Sequence, residues 1–212
     1  MPSEPSLDLA RFAATPLSRE PFDHVVVPAF VREEAGAGLD AAFPRIDRGG
    51  SFPADTLECD TAFTGFLDEL QSPAVTTAFE EKFDIDLSGR PTMVTLRGRS
   101  RPKDGRIHAD TETKLITALI YMNGGWDAEG GRLRLLRGPD DLEDYAVEVA
   151  PERGTLLAFR CTPQAYHGHK PFDGERRSIQ LNWVTSEAVL KRELARHGMS
   201  ARVKRLLRLA TG

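Results

Sequence analysis

Between residues 91 and 184 the chain breaks into short β-branched and apolar runs, and this rhythm limits its fold more than any other feature. Residues 93–96, 114–121, 132–136, 145–149, 155–159 and 178–184 read as strands. Clusters rich in glycine, proline and aspartate separate them, such as Asn123-Gly124-Gly125, Gly138-Pro139-Asp140-Asp141 and Pro151-Glu152-Arg153-Gly154. Strands this closely spaced point to a sandwich or barrel and away from βαβ units.

The region before residue 91 has a different texture. Residues 22–27 form a β-branched run closed by Pro28. Phe63, Phe66, Leu67 and Leu70 recur at helical spacing, which predicts a helix near 60–71. Ser72-Pro73 then reads as a cap and a first-turn proline, opening a second helix that buries Val75, Phe79 and Phe83. These helices have a role if they brace the back of a sheet.

A length of 212 residues suits one domain with a sizeable core. The expected division is a helical support region with an N-terminal strand over 1–90, a β core over 91–185 and a basic C-terminal helix over 186–212. In that last stretch Lys191, Arg192, Arg196, Arg202, Lys204, Arg205 and Arg208 fall among leucines. It reads as a helix packing its leucines on the sheet, with a partner or surface contact as the alternative. The net charge of −4 argues against a dominant nucleic-acid surface. Two cysteines, Cys59 and Cys161, are too few for a disulfide framework and fit a reducing cytoplasm, and Cys161 reads as a small buried hydrophobe. No signal-like start or membrane-spanning run occurs, so a cytoplasmic protein is expected.

Chemistry concentrates in two places. His108-Ala109-Asp110 offers an imidazole and a carboxylate two residues apart, hence on one side of an extended segment. Tyr166-His167-Gly168-His169 follows about sixty residues later, with Arg176 and Arg177 beyond it. Two histidines and one acid are the donor set of a facial Fe(II) site with open positions. His167 and His169 share strand parity, and either could be the second imidazole. An arginine suits a carboxylate because its planar fork makes two parallel charge-assisted bonds. Arg177 shares parity with Ile179, Leu181 and Trp183, an apolar set expected to face inward, whereas Arg176 goes with the polar Ser178, Gln180 and Asn182.

In this order His108-Ala109-Asp110, Tyr121-Met122-Asn123, Trp126, Gly130-Gly131, Pro151 to Phe159, His167-Gly168-His169-Lys170-Pro171, Gly174, Arg177 and Trp183 resemble the Fe(II)/2-oxoglutarate-dependent dioxygenases, specifically the prolyl-4-hydroxylase-like branch. The resemblance covers roughly residues 91–184. It implies a mainly β fold with flanking helices, built on a double-stranded β-helix (jelly-roll) core. It implies Fe(II) held by His108, Asp110 and His167, with 2-oxoglutarate and O2 as co-substrates and ascorbate as a candidate reductant. The family places the second histidine nine or ten residues before the arginine for the distal carboxylate, which favours His167 with Arg177 and leaves His169 near the rim. Tyr121 corresponds to a tyrosine that bonds the same carboxylate, Leu133 to an apolar wall residue, and Lys114 to a basic residue facing substrate or co-substrate.

The implied activity is hydroxylation of a C–H bond in a protein side chain or small molecule that the sequence does not identify. One alternative is a nucleic-acid-modifying dioxygenase of the same fold, which typically carries a second arginine six residues after the first, where this chain has Trp183. The other is a non-catalytic or differently metallated cupin-like barrel, whose several histidines and glutamate are missing here. Residues 43–59 and 97–103 are candidate lids, and the basic run Arg97-Gly98-Arg99-Ser100-Arg101-Pro102-Lys103 at the mouth would favour an acidic or phosphorylated substrate.

Overall fold

The structure, a computed structural model, describes residues 5–196. Four α-helices precede most of the strands: α1 (Leu9–Ala14), α2 (Glu33–Ala42), α3 (Thr61–Leu70) and α4 (Pro73–Phe83). Helix α3 starts where Asp60 accepts a hydrogen bond from the Phe63 amide, and α4 where Ser72 accepts one from Val75 with Pro73 in the first turn. The strands are β1 (His24–Val27), β2 (Phe52–Pro53), β3 (Thr92–Ser100), β4 (Lys114–Tyr121), β5 (Leu133–Leu136), β6 (Tyr145–Val149), β7 (Leu156–Arg160), β8 (His167–Gly168) and β9 (Gly174–Val184).

They form two antiparallel sheets. The larger runs β1-β7-β4-β9-β3-β2 and the smaller β6-β5-β8. The N-terminal region therefore does more than support: β1 and β2 are the two edges of the larger sheet. Residues 43–59 are partly built into it, since Phe52 pairs with Leu96. Residues 97–100 belong to β3 rather than to a loop. The segment 187–196 is helical, whereas the remaining basic residues expected there, from 197 onward, lie outside the described residues. No helix among the described residues is long and apolar enough to cross a membrane.

Alternation along the strands sends side chains into two different surroundings. On one side of the larger sheet Val94, Leu96, Ile116, Ala118, Ile120, Leu156, Ala158, Ile179, Leu181 and Trp183 meet the helices in one apolar core. Phe79 is its hub, its ring centroid 4.6 Å from Phe12 and 4.7 Å from Trp183. On the other side Tyr121, Leu157 and Phe159 meet Leu133, Leu135 and Val149 of the smaller sheet in a second, smaller cluster. The remaining inter-sheet space is lined by polar side chains and holds the candidate site. Phe79→Ala is expected to cost about 3–5 kcal/mol of stability by opening the helix–sheet core. Urea unfolding with an unchanged midpoint would contradict that layering.

Candidate functional site

His108 does not lie on a strand. It sits on an extended segment fixed by one isolated bridge to His167. The two residues exchange backbone hydrogen bonds, His108 N to His167 O at 3.0 Å and the reverse at 2.9 Å. This reciprocal pair carries both rings to one place, with centroids 4.3 Å apart. Each Nδ1 faces a backbone carbonyl two residues upstream, Arg106 O at 2.8 Å and Ala165 O at 2.9 Å. A carbonyl only accepts, so both Nδ1 atoms carry the proton and both Nε2 atoms present a lone pair. One donor atom from each of His108, Asp110 and His167 lies within 4.8 Å of the others.

The carboxylate is held as firmly. Lys114 Nζ donates to Asp110 Oδ1 at 2.8 Å and Thr117 Oγ1 to Oδ2 at 2.6 Å. Thr117 in turn accepts from Asn182 Nδ2 at 2.7 Å, which ties the acid to β9. Lys114 and Thr117 reach one carboxylate although three residues apart, because the β4–β9 register shifts between Lys114 and Ile116. Burial raises the Asp110 pKa, but the charges of Lys114 and His167 and the two hydrogen bonds outweigh it and bring it down to about 2. Burial and the neighbouring His108 bring His167 down to about 4. Asp110 therefore rests as an anion and His167 as a neutral imidazole, the protonation states a cation needs of them.

Beside it a cavity of about 110 Å³ is lined by Arg97, Leu119, Leu133, His169, Arg176 and Gln180 together with both histidines. Leu133 stands in the wall, as expected. The arginine expected there does not. Arg177 turns to the helical side, where its guanidinium bonds Asp40 Oδ1 at 2.8 Å and Glu175 at 3.2 Å. Arg176 enters the cavity instead and is only 5 % exposed. The correction has a simple cause: helices cover the outer face of β9, so the apolar set Ile179, Leu181 and Trp183 packs outward against them. The polar set lines the interior. Sequence parity separated the two sets and assigned them to the wrong sides. The polarity of Ser178, Gln180 and Asn182 was the available signal, given a cavity that has to hold polar ligands.

Among the described residues no carboxylate pairs with Arg176, whose Nε donates to Gly131 O at 2.8 Å. Its guanidinium carbon lies 5.4 Å from the Tyr121 ring centroid. The Tyr121 hydroxyl is fully buried and has no hydrogen-bond partner among the described residues. A buried cation without an anion is costly, and a carboxylate in this cavity would satisfy Arg176; Tyr121 lies behind Arg176 and is not itself among the residues lining the cavity. Lys114, by contrast, lies in an adjoining cleft against Asp110 and not in the Arg176 cavity. His169 lines the cavity wall outside the three-residue donor group, its Nδ1 on Lys170 O and its ring against Gly105. Gly105 has φ +82°, and a Cβ there would collide with that ring. Cys161 is packed against Thr117 with its thiol pushed up to about 12, first by burial and then by Asp110, so it is an inert neighbour.

Comparison with known proteins bears on this geometry. Residues 99–185 match the family model of the 2OG-Fe(II) oxygenase superfamily, a segment that contains the three-residue donor group and Arg176. A prolyl-4-hydroxylase from Pseudomonas putida aligns at 18 % identity and TM-score 0.57, over 87 % of this chain and 97 % of that one. A viral collagen prolyl hydroxylase from Paramecium Bursaria Chlorella virus-1 aligns at 16 % identity and TM-score 0.54, over 82 % and 96 %. An oxidoreductase of the 2OG-Fe(II) oxygenase family from Burkholderia pseudomallei aligns at 17 % and 0.52, over 83 % and 89 %. Comparison with curated protein sequences gives no match. The shared architecture is the double-stranded β-helix with flanking helices.

Thr117→Val removes the hydroxyl between Asp110 and Asn182 while keeping the shape of the side chain. Mn(II) affinity is expected to fall by about tenfold or more. Calorimetric titration showing unchanged affinity would remove Thr117 from the site's support.

Proposed function

We propose that the chain is an Fe(II)- and 2-oxoglutarate-dependent oxygenase that hydroxylates a C–H bond of a protein side chain or a small molecule. The Arg176 guanidinium, which no carboxylate among the described residues pairs with, carries this reading, because it shares a cavity with His108 and His167, and those two histidines converge with Asp110, which lines the adjoining opening. His108, Asp110 and His167 would hold the metal. Arg176, backed by Tyr121, would take the distal carboxylate of 2-oxoglutarate, with Leu119 and Leu133 walling its carbon chain. When bound, Fe(II) with 2-oxoglutarate and O2 supplies the oxidant for C–H hydroxylation, and 2-oxoglutarate leaves as succinate and CO2.

The protein's own part is placement and protonation. The carbonyls of Arg106 and Ala165 keep both imidazoles in the ligating tautomer. Lys114 and Thr117 keep Asp110 ionised and aimed, which makes Lys114 a positioning residue for the acid. The apolar Leu119, Leu133 and Phe159 keep bulk water from the Arg176 contact and from the back of His167.

The prolyl hydroxylase neighbours favour the prolyl-4-hydroxylase-like branch, with a protein-borne proline as one candidate substrate. A cupin-like binding barrel fits less well, since it would have no use for a buried arginine facing the metal group. A nucleic-acid-modifying enzyme also fits less well: six residues after Arg176 stands Asn182, whose side chain is spent on Thr117.

Anaerobic titration with Fe(II) and 2-oxoglutarate, followed by succinate release in air, tests the reading. His108→Ala and Asp110→Ala are expected to abolish turnover, and full activity in either would overturn the metal assignment. Arg176→Ala should raise the 2-oxoglutarate KM by about a hundredfold, the loss of a bidentate charge-assisted contact. Arg177→Ala should leave that KM within about threefold and cost only about 1 kcal/mol of stability, its partners being at the surface. The opposite ranking of the two arginines would sink the pocket assignment.

A further inference from the structure

Next to the Arg176 cavity lies a second opening of about 340 Å³, which shares His108 and Arg97 with it. It is lined by Met93, Thr95, Arg97, Asp110, Lys114 and Arg196, among others. Its charges are unequal. Three bases face it, and Asp110 is its one acid among the described residues. Arg196, at the rim, is paired with Glu193 at 2.6 Å. The two inner cations are less well balanced. Arg97 Nη1 lies 3.1 Å from Asp104 Oδ2, but the same carboxylate also takes Arg101 Nη2 at 3.1 Å and the Arg101 amide at 3.0 Å. Two guanidinium charges thus share one carboxylate, and one positive charge is left over. Among the described residues Lys114 is paired with Asp110 alone. Once a divalent cation takes the charge of Asp110, Lys114 has no anion of its own.

Resting on the oxygenase reading above, we infer that the primary substrate carries a carboxylate or phosphate group and that Arg97 receives it in this opening, with Lys114 beside it. Arg97 is suited to that task. It projects from β3 into the interior beside Thr95 and reaches both openings. Burial disfavours its charge, Asp104 supports it, and Arg176 and Arg101 oppose it, with a net downward pull on its pKa. An oxyanion would relieve that repulsion, whereas a neutral substrate would strip water from Arg97 and put nothing in its place. Arg97 Nη2 already donates to Ser51 Oγ at 3.2 Å, so the guanidinium plane is fixed before a ligand arrives. Arg176 is left to the co-substrate, and the two arginines divide the cavity between two anions.

The test uses the full-length protein loaded with Mn(II) and saturated with 2-oxoglutarate, titrated calorimetrically at constant ionic strength. The probes are inorganic phosphate, acetate and neutral acetamide. At least one oxyanion is expected to bind and acetamide is not; preference for phosphate or acetate names the group. Arg97→Gln should weaken oxyanion binding by about tenfold or more, and Arg97→Lys, which keeps the charge, should restore it to within about threefold. Arg97 also lines the Arg176 cavity, so the 2-oxoglutarate affinity of both variants is measured separately, and the loss of oxyanion affinity in Arg97→Gln is expected to exceed any loss of 2-oxoglutarate affinity. No oxyanion binding, equal binding by Arg97→Gln, equal binding of acetamide, or a matching loss of 2-oxoglutarate affinity would each overturn the inference. Failure of the parent protein to bind 2-oxoglutarate would instead overturn the oxygenase reading, and that titration is read on its own. Thermal melts of both variants identify any loss due to unfolding, and in that case Arg97→Lys decides.

Discussion

The larger sheet has one dry face and one wet one, and the rest of the molecule follows from that division. Its dry face is sealed by Phe12, Phe63, Phe66, Phe79 and Phe83 from the helices, a large apolar payload for a chain of this size. That burial offsets what the other face costs. That side holds a buried guanidinium, a buried ammonium, an ionised carboxylate and a phenol with no hydrogen-bond partner among the described residues. Each polar group left unsatisfied in such a place costs about 1–3 kcal/mol. A sheet without the aromatic helical layer behind it would have little stability to set against that cost.

Much of this was legible in the chain, and what was not has a physical reason. The bounds of β4 and β6 were readable because their alternation ends at glycine and aspartate clusters. The start of α4 was readable because Ser72 and Pro73 are local signals that need no tertiary context. Helix α2, Glu-Glu-Ala-Gly-Ala-Gly-Leu-Asp-Ala-Ala, gave no such signal, since only Gly36 and Leu39 are buried. Strand β8, two residues long, exists only through its pairing with β5 and with His108. The three candidate metal ligands could be read from type and spacing alone. The choice between Arg176 and Arg177 could not, because a period of two says which residues share a face and not which face is covered. Helices far away in sequence decide that.

The donor group is also prepared electrically. The His167 imidazole, kept neutral by burial, and an acid kept ionised by Lys114 and Thr117 need give up no proton to receive a cation. The network that does this runs from Lys114 through Asp110 and Thr117 to Asn182 and Gln180. It crosses from an irregular segment to β4 and β9, so the irregular segment inherits the rigidity of the sheet.

Asn123 and Asp40 give the Arg176 cavity the same kind of stiffness. The Asn123 side chain accepts from the Arg177 amide at 2.8 Å and donates to the Arg177 carbonyl at 3.1 Å, while Asp40 of α2 grips the Arg177 guanidinium from outside. Because Arg176 is the adjacent residue, this outer clasp also clamps the backbone from which the inner guanidinium hangs. The entropy of ordering that stretch of backbone is lost when the chain folds. A salt link on the solvent side thereby stiffens the far side of the same strand.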